Sequence, residues 1–204
     1  MMENLKLTHK IARVLTKDYI RGYRDEKMFL PFCEQCPQYG KRWSCPPYGF
    51  DTSEYISHYK YVFIIGTKIS FDEQLRKSCT SQDESNRITR EALEGACRVM
   101  AKKHLELEKR YPNSLSFVGA RCFLCEPEPC ARLSDEPCRH PDEMRHALES
   151  IGFDIGKTTQ QLLDIELQWG KGGRLPQYTT LVTALFTNCE EVSLEKILLE
   201  KSLV

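Results

Sequence analysis

Two short windows hold most of the cysteine in this chain. Cys33, Cys36 and Cys45 run as C-x2-C-x8-C, and Cys122, Cys125, Cys130 and Cys138 as C-x2-C-x4-C-x7-C. Thiolate is a soft donor that selects zinc, Cu(I) or iron–sulfur clusters, so the chemistry these residues offer is metal binding. The second window is a complete four-sulfur set, and Cys122 and Cys125 lie on one turn, close enough to share a metal. Two occupants fit it: a zinc ion that pins a loop, or a [4Fe–4S] cluster. Ligands drawn from a single run, prolines at 127, 129 and 137 among them, and no second C-x2-C knuckle within the segment favour the cluster.

Cys138 continues into Arg139-His140-Pro141. A cluster held by four thiolates carries net negative charge, which Arg139 would offset, and amides at the start of a helix would donate hydrogen bonds to sulfur. Arg139 and His140 are therefore the candidate cofactor-binding residues, with His140 open to the roles of ligand, proton donor or helix cap.

The first window supplies only three sulfurs, and four explanations compete. Cys33, Cys36 and Cys45 can hold a second cluster with one iron left open. A distant residue can complete the set: Cys189 first, or Cys79, His58 or His140. The three can join the other group at a shared site. Or Cys33 and Cys36 can be a redox dithiol, which normally opens a helix; Pro37 and Gly40 disfavour one here. Tyr39, Trp43 and Tyr48 can shield a metal or simply pack the loop. Of the isolated cysteines, Cys97 falls on an apolar helical stripe and reads as core, and Cys79 reads as a bystander in a polar loop.

The chain around these windows has 204 residues, with 29 basic and 29 acidic side chains. That length suits one domain over 1–204 and needs neither metal nor disulfide merely to fold. Balanced charge gives no reason to expect nucleic acid, apolar runs such as Tyr61 to Ile65 are too short to span a membrane, and MMENLKLTHKIARVLTK has no signal-peptide core. A cytoplasmic protein with reduced thiols is the expectation.

The elements that must position the cysteines follow from periodicity. Leu7, Ile11 and Val14 predict a helix over 4–17, and 19–32 suggests a short hairpin through Arg24–Glu26. YKYVFIIGTKI (59–69) reads as a central strand, followed by a polar loop from Ser70 to about Glu84. A long helix covers 85–110 and a second strand 115–121, which together make a βαβ unit with parallel strands. The second cysteine window opens where that strand ends. Helices are expected over Pro141–Ile151 and Thr158–Trp169, a third strand over Tyr178–Thr187, and a last helix capped by Ser193 with Leu194, Ile197 and Leu198 inward. The fold class is α/β: a small mixed sheet with flanking helices and cysteine-rich loops at 31–50 and 122–141.

CEQCPQYGKRWSCPP (Cys33 to Pro47), CFLCEPEPC (Cys122 to Cys130), PCRHPDEMR (Pro137 to Arg145) and SIGFDI (Ser150 to Ile155) together resemble a family of small prokaryotic predicted metal-binding proteins, a domain of unknown function. The resemblance implies metal binding by the seven cysteines, as iron–sulfur. It implies no particular reaction. The acidic, proline-rich CEPEPC is a mild departure from the family pattern at Cys130.

Other catalytic signatures are missing. WGKGG (Trp169 to Gly173) lacks the spacing of a phosphate loop, and there is no G-x-S-x-G, H-E-x-x-H or C-x3-C-x2-C. The expectation is an iron–sulfur protein that transfers electrons to a redox partner or services a redox enzyme. The alternatives are a zinc-stabilised binding module and an enzyme whose metal, held by three cysteines, is open to substrate.

Overall fold

The computed structural model describes residues 6–194 and 198. Four strands, β1 (Lys6–Leu15), β2 (Tyr61–Ser70), β3 (Leu115–Val118) and β4 (Tyr178–Thr187), form a sheet in the order β1-β2-β4-β3. Every neighbouring pair is antiparallel. The helices are α1 (Thr16–Tyr23), α2 (Glu26–Glu34), α3 (Thr52–Ser57), α4 (Glu73–Ser78), α5 (Gln82–Arg110) and α6 (Ile155–Leu162). Among the described residues no helix is long and apolar enough to cross a membrane.

The sheet is covered on both faces, and strand alternation assigns residues to each. Phe63, Ile65 and Ile69 of β2, Leu181 and Leu185 of β4 and Val118 of β3 pack with Ile88, Ala92, Ala96 and Met100 of α5. Val62, Ile64, Val182, Ala184, Phe186 and Phe117 pack the opposite way, against Tyr19, Ile56, Leu148, Ile151 and Phe153. Burial of both faces is why β2 and β4 read as nearly continuous apolar runs.

The α/β class and strands β2 and β4 are as the sequence suggests, and several local expectations are corrected. The segment expected as a helix over 4–17 is mostly strand β1. Leu7, Ile11 and Val14 fit a helical repeat, but ten residues pair with β2 from Lys6↔Ser70 to Leu15↔Tyr61. An isolated helix of that length is marginal in water, while the ladder satisfies the backbone along one edge. The expected hairpin at 24–26 is instead the link between α1 and α2. Asp25 caps α2 by accepting from the Met28 amide at 3.0 Å.

The polar loop after β2 contains α4, and Cys79 at its end is core, only 4 % exposed. The long helix is as expected, starting at Gln82, where Ser81 accepts from the Glu84 amide. Strands β2 and β3 run in the same direction, as a βαβ unit requires, but β4 inserts between them. No helix spans Pro141–Ile151. A turn closes on the His140 carbonyl, the His146 carbonyl accepts from the Val118 amide at 2.8 Å, and a short 3-10 turn covers Glu149–Ile151. Arg145, drawn to Glu108, and His146, buried against Tyr48, Phe50 and Tyr55, hold this stretch extended. Helix α6 is shorter than expected: Asp164 takes a left-handed φ of 49°, and Leu163 and Ile165 fold into the core. Of the last expected helix, Leu194 and Leu198 are buried; Ile197 lies outside the described residues.

Candidate metal centre

The first cysteine window begins on a helix. Pro31 is accommodated inside α2, and Cys33 occupies its last turn. Beyond it the chain makes successive tight turns: the Cys36 amide donates to the Cys33 carbonyl, Tyr39 to Cys36 and Cys45 to Arg42, each at 3.0 Å. These turns keep three sulfurs in one neighbourhood, and Cys36 and Cys45 both act on the Cys33 thiol. Burial first, and then Glu149, Cys36, Cys45 and Glu34, push the Cys33 pKa up to about 11. Burial also raises Cys45. A redox dithiol needs the positive N-terminal pole of a helix to lower its pKa, whereas Cys33 sits at the negative C-terminal pole. The dithiol alternative is therefore disfavoured.

The second window follows β3. Burial raises the pKa of Cys122 and of Cys138, and the other cysteines of the window add to it: Cys125, Cys138 and Cys130 on Cys122, and Cys125 and Cys130 on Cys138. Four thiols thus crowd one loop, half-buried. Backbone amides partly offset this: the Leu124 N–H reaches the Cys122 sulfur and the His140 N–H the Cys138 sulfur. Both donors lie two residues beyond the cysteine they serve, an arrangement that would stabilise thiolates around a metal. The helix expected to supply the second amide is absent; the turn at His140 supplies it instead.

The candidate cofactor residues flank this loop. Arg139 donates to the Pro129 carbonyl at 3.0 Å, tying the Cys138 end to the Cys130 end. His140 lies 3.9 Å from Glu143 and caps the turn through its carbonyl.

The two windows are stapled to each other. Arg42, between Cys36 and Cys45, donates to the Cys122 carbonyl at 2.8 Å. Arg132, between Cys130 and Cys138, donates in return to the carbonyls of Cys45, Arg42 and Pro47 at 2.5, 2.8 and 2.6 Å. Trp43 adds a bond from its indole N–H to the Glu136 carbonyl, and the Arg132 guanidinium lies over its ring. Arg42 and Arg132 stand inside the cysteine motifs, so their positions were visible in the sequence, but their partners were not. Buried His146, whose Nδ1–H donates to the Ser44 carbonyl at 3.3 Å, had no such signal.

A cavity of about 760 Å³ opens beside the first window, with Cys33, Cys36 and Cys45 on one side and Arg90, Arg121 and Glu149 among the residues facing them. None of the distant residues weighed as a fourth ligand lines it. Cys189 lies just past the end of β4 that pairs with the start of β3, and His58 caps α3. Cys79 donates to the Gly173 carbonyl at 3.3 Å, and His140 belongs to the second window. Cys97 is core, as expected, with its thiol on the Gly119 carbonyl at 3.0 Å.

Among the described residues no three Cys, His, Asp or Glu side chains stand as a ready set able to hold a metal ion. The donor chemistry nonetheless suits a soft metal: seven thiols in two electrostatically coupled groups, with amides on two of the sulfurs.

No curated protein and no solved structure matches this chain. The model of one family, described as predicted metal-binding protein (DUF2284), matches residues 21–186, which include both cysteine windows, β2, β3 and all but the last residue of β4. The chain belongs to this family of predicted metal-binding proteins.

Proposed function

We propose that this protein binds iron–sulfur, with a [4Fe–4S] cluster on Cys122, Cys125, Cys130 and Cys138, and that it passes electrons to a redox partner or services a redox enzyme. The observation that carries the proposal is the pair of amides, from Leu124 and His140, directed at the sulfurs of Cys122 and Cys138 within one four-thiol loop. Such bonds favour the negatively charged cluster and raise its potential. Arg139 closes the same loop and adds positive charge beside it.

A second reading concerns Cys33, Cys36 and Cys45. They border a cavity of about 760 Å³, roomy enough for a small molecule to reach a metal held there. A metal on these three sulfurs would act on substrate as a Lewis acid or as a redox centre.

Anaerobic purification followed by iron, acid-labile sulfide and zinc analysis tests the first reading. Brown protein with iron and sulfide in equal amounts is expected, and Cys125→Ser should remove one cluster's share. Colourless protein that holds zinc without sulfide overturns the cluster in favour of a zinc-stabilised binding module.

A further inference from the structure

The cavity beside the first window contains a carboxylate that the cysteine spacing does not announce. Glu149 shares this cavity with Cys33, Cys36 and Cys45. Its neighbours there are matched: Glu94 pairs with Arg121 at 3.2 Å and Glu91 with Arg87 at 2.9 Å. Among the described residues Glu149 forms no ion pair, and Arg90 lines the same cavity. Glu149 is exposed to the water of the cavity. A carboxylate that shares a cavity with a group of thiols adds a hard oxygen donor to their soft ones.

The placement of Glu149 is built, not incidental. The 3-10 turn Glu149–Ile151 packs against α2, the helix that ends in Cys33. The Asp25 amide donates to the Gly152 carbonyl at 2.9 Å, and Arg24 donates to the Ile151 carbonyl at 2.7 Å. On the other side, the Tyr48 hydroxyl donates to the Ser44 carbonyl at 2.9 Å and lies 2.6 Å from the Ser150 Oγ. The residues next to Glu149 are therefore tied both to the helix that carries Cys33 and to the turn that carries Cys45.

We propose that Glu149, held against α2 and open to the cavity shared with Cys33, Cys36 and Cys45, is the oxygen ligand that completes a three-cysteine, one-carboxylate metal site. The assignment rests on the reading that these three cysteines hold a metal, and it names their missing partner. A carboxylate oxygen is a harder donor than the three sulfurs, so the metal atom it binds is chemically distinct from its neighbours. It faces the cavity, where an incoming small molecule bearing an oxygen or nitrogen donor would displace the carboxylate rather than a thiolate.

The test uses the full chain and its Glu149→Gln, Glu149→Cys and Cys45→Ala variants, reconstituted anaerobically with ferrous iron and sulfide. Iron and sulfide per chain and the EPR spectrum of the oxidised protein are measured. Glu149→Gln should lose about one iron per chain and show a [3Fe–4S] signal that the parent lacks, as a cubane missing one ligand does. Glu149→Cys should restore the iron and abolish that signal. The assignment is overturned if Glu149→Gln keeps the parent iron content and spectrum while Cys45→Ala loses them, or if Glu149→Cys fails to restore what Glu149→Gln loses. If Cys45→Ala also changes nothing, the three-cysteine site itself falls, and the assignment with it. Should the chain take up zinc without sulfide, zinc per chain is the readout: Glu149→Gln must lower it and Glu149→Cys restore it, or the assignment is wrong.

Discussion

Arg132 and Cys45 are far apart in sequence, yet the Arg132 guanidinium donates to the Cys45 carbonyl at 2.5 Å. With its further bonds to the carbonyls of Arg42 and Pro47, Arg132 holds one cysteine window by the backbone of the other. The fork geometry matters, because three carbonyls are served by one planar group.

Arg132→Ala should therefore weaken metal binding in the first window although it removes no ligand. Loss of a group that orients ligands typically costs about 10- to 100-fold in metal affinity. Arg132→Lys, which keeps the charge but not the fork, should recover little of it. Competition against a chelator of known affinity measures both variants; parent-like affinity in Arg132→Ala would show that the windows are independent.

Acid should destabilise the fold through His104. This side chain is fully buried, bonds Ser116 through Nδ1 at 3.0 Å and has no partner for Nε2 among the described residues. Burial lowers its pKa from 6.5 to about 4. The folded state thus prefers the neutral ring, and its contribution to stability is complete above about pH 6.5 and is lost as pH falls toward about 4. The shift corresponds to a few kcal/mol, on the order of 3. His9 and His146 are lowered in the same direction. Urea unfolding of the parent and of His104→Asn across this range isolates the His104 share: the variant should show a shallower fall in stability on acidification.

Gly152→Ala should destabilise the fold and loosen the turn that carries Glu149. Gly152 has a φ of 91°, and an added Cβ would stand 2.6 Å from the Glu26 Cα. Both the left-handed backbone and the backbone clash oppose the substitution, at a cost of about 1–3 kcal/mol. A lower denaturation midpoint with an unchanged slope is the expected outcome.

The cysteine windows and both long central strands were legible because they are local. A thiol is soft wherever it sits, and a ten-residue apolar run buried on both faces has little else it can be. The helix α5 was legible for the same reason, since its apolar stripe repeats over many turns. The segments that misled are short and ambiguous. Leu7, Ile11 and Val14 suit a helix as well as a strand, and only the free edge of β2 decides between them. Pro141–Ile151 has a good helix start, but Arg145 and His146 are held by Glu108 and the aromatic cluster, and those contacts outweigh propensity.

The sequence by itself determined that this chain carries soft-metal donors, how they are grouped, and that an α/β scaffold holds them. Only the tertiary structure decided that β4 separates β2 from β3, that Arg42 and Arg132 lock the two windows together, and that Glu149, rather than Cys189, faces the three-cysteine group. Donor chemistry is a property of single residues and survives in a string of letters. Which carbonyl an arginine reaches, or which carboxylate borders a cavity, depends on contacts between distant segments, and these exist only once the chain has folded.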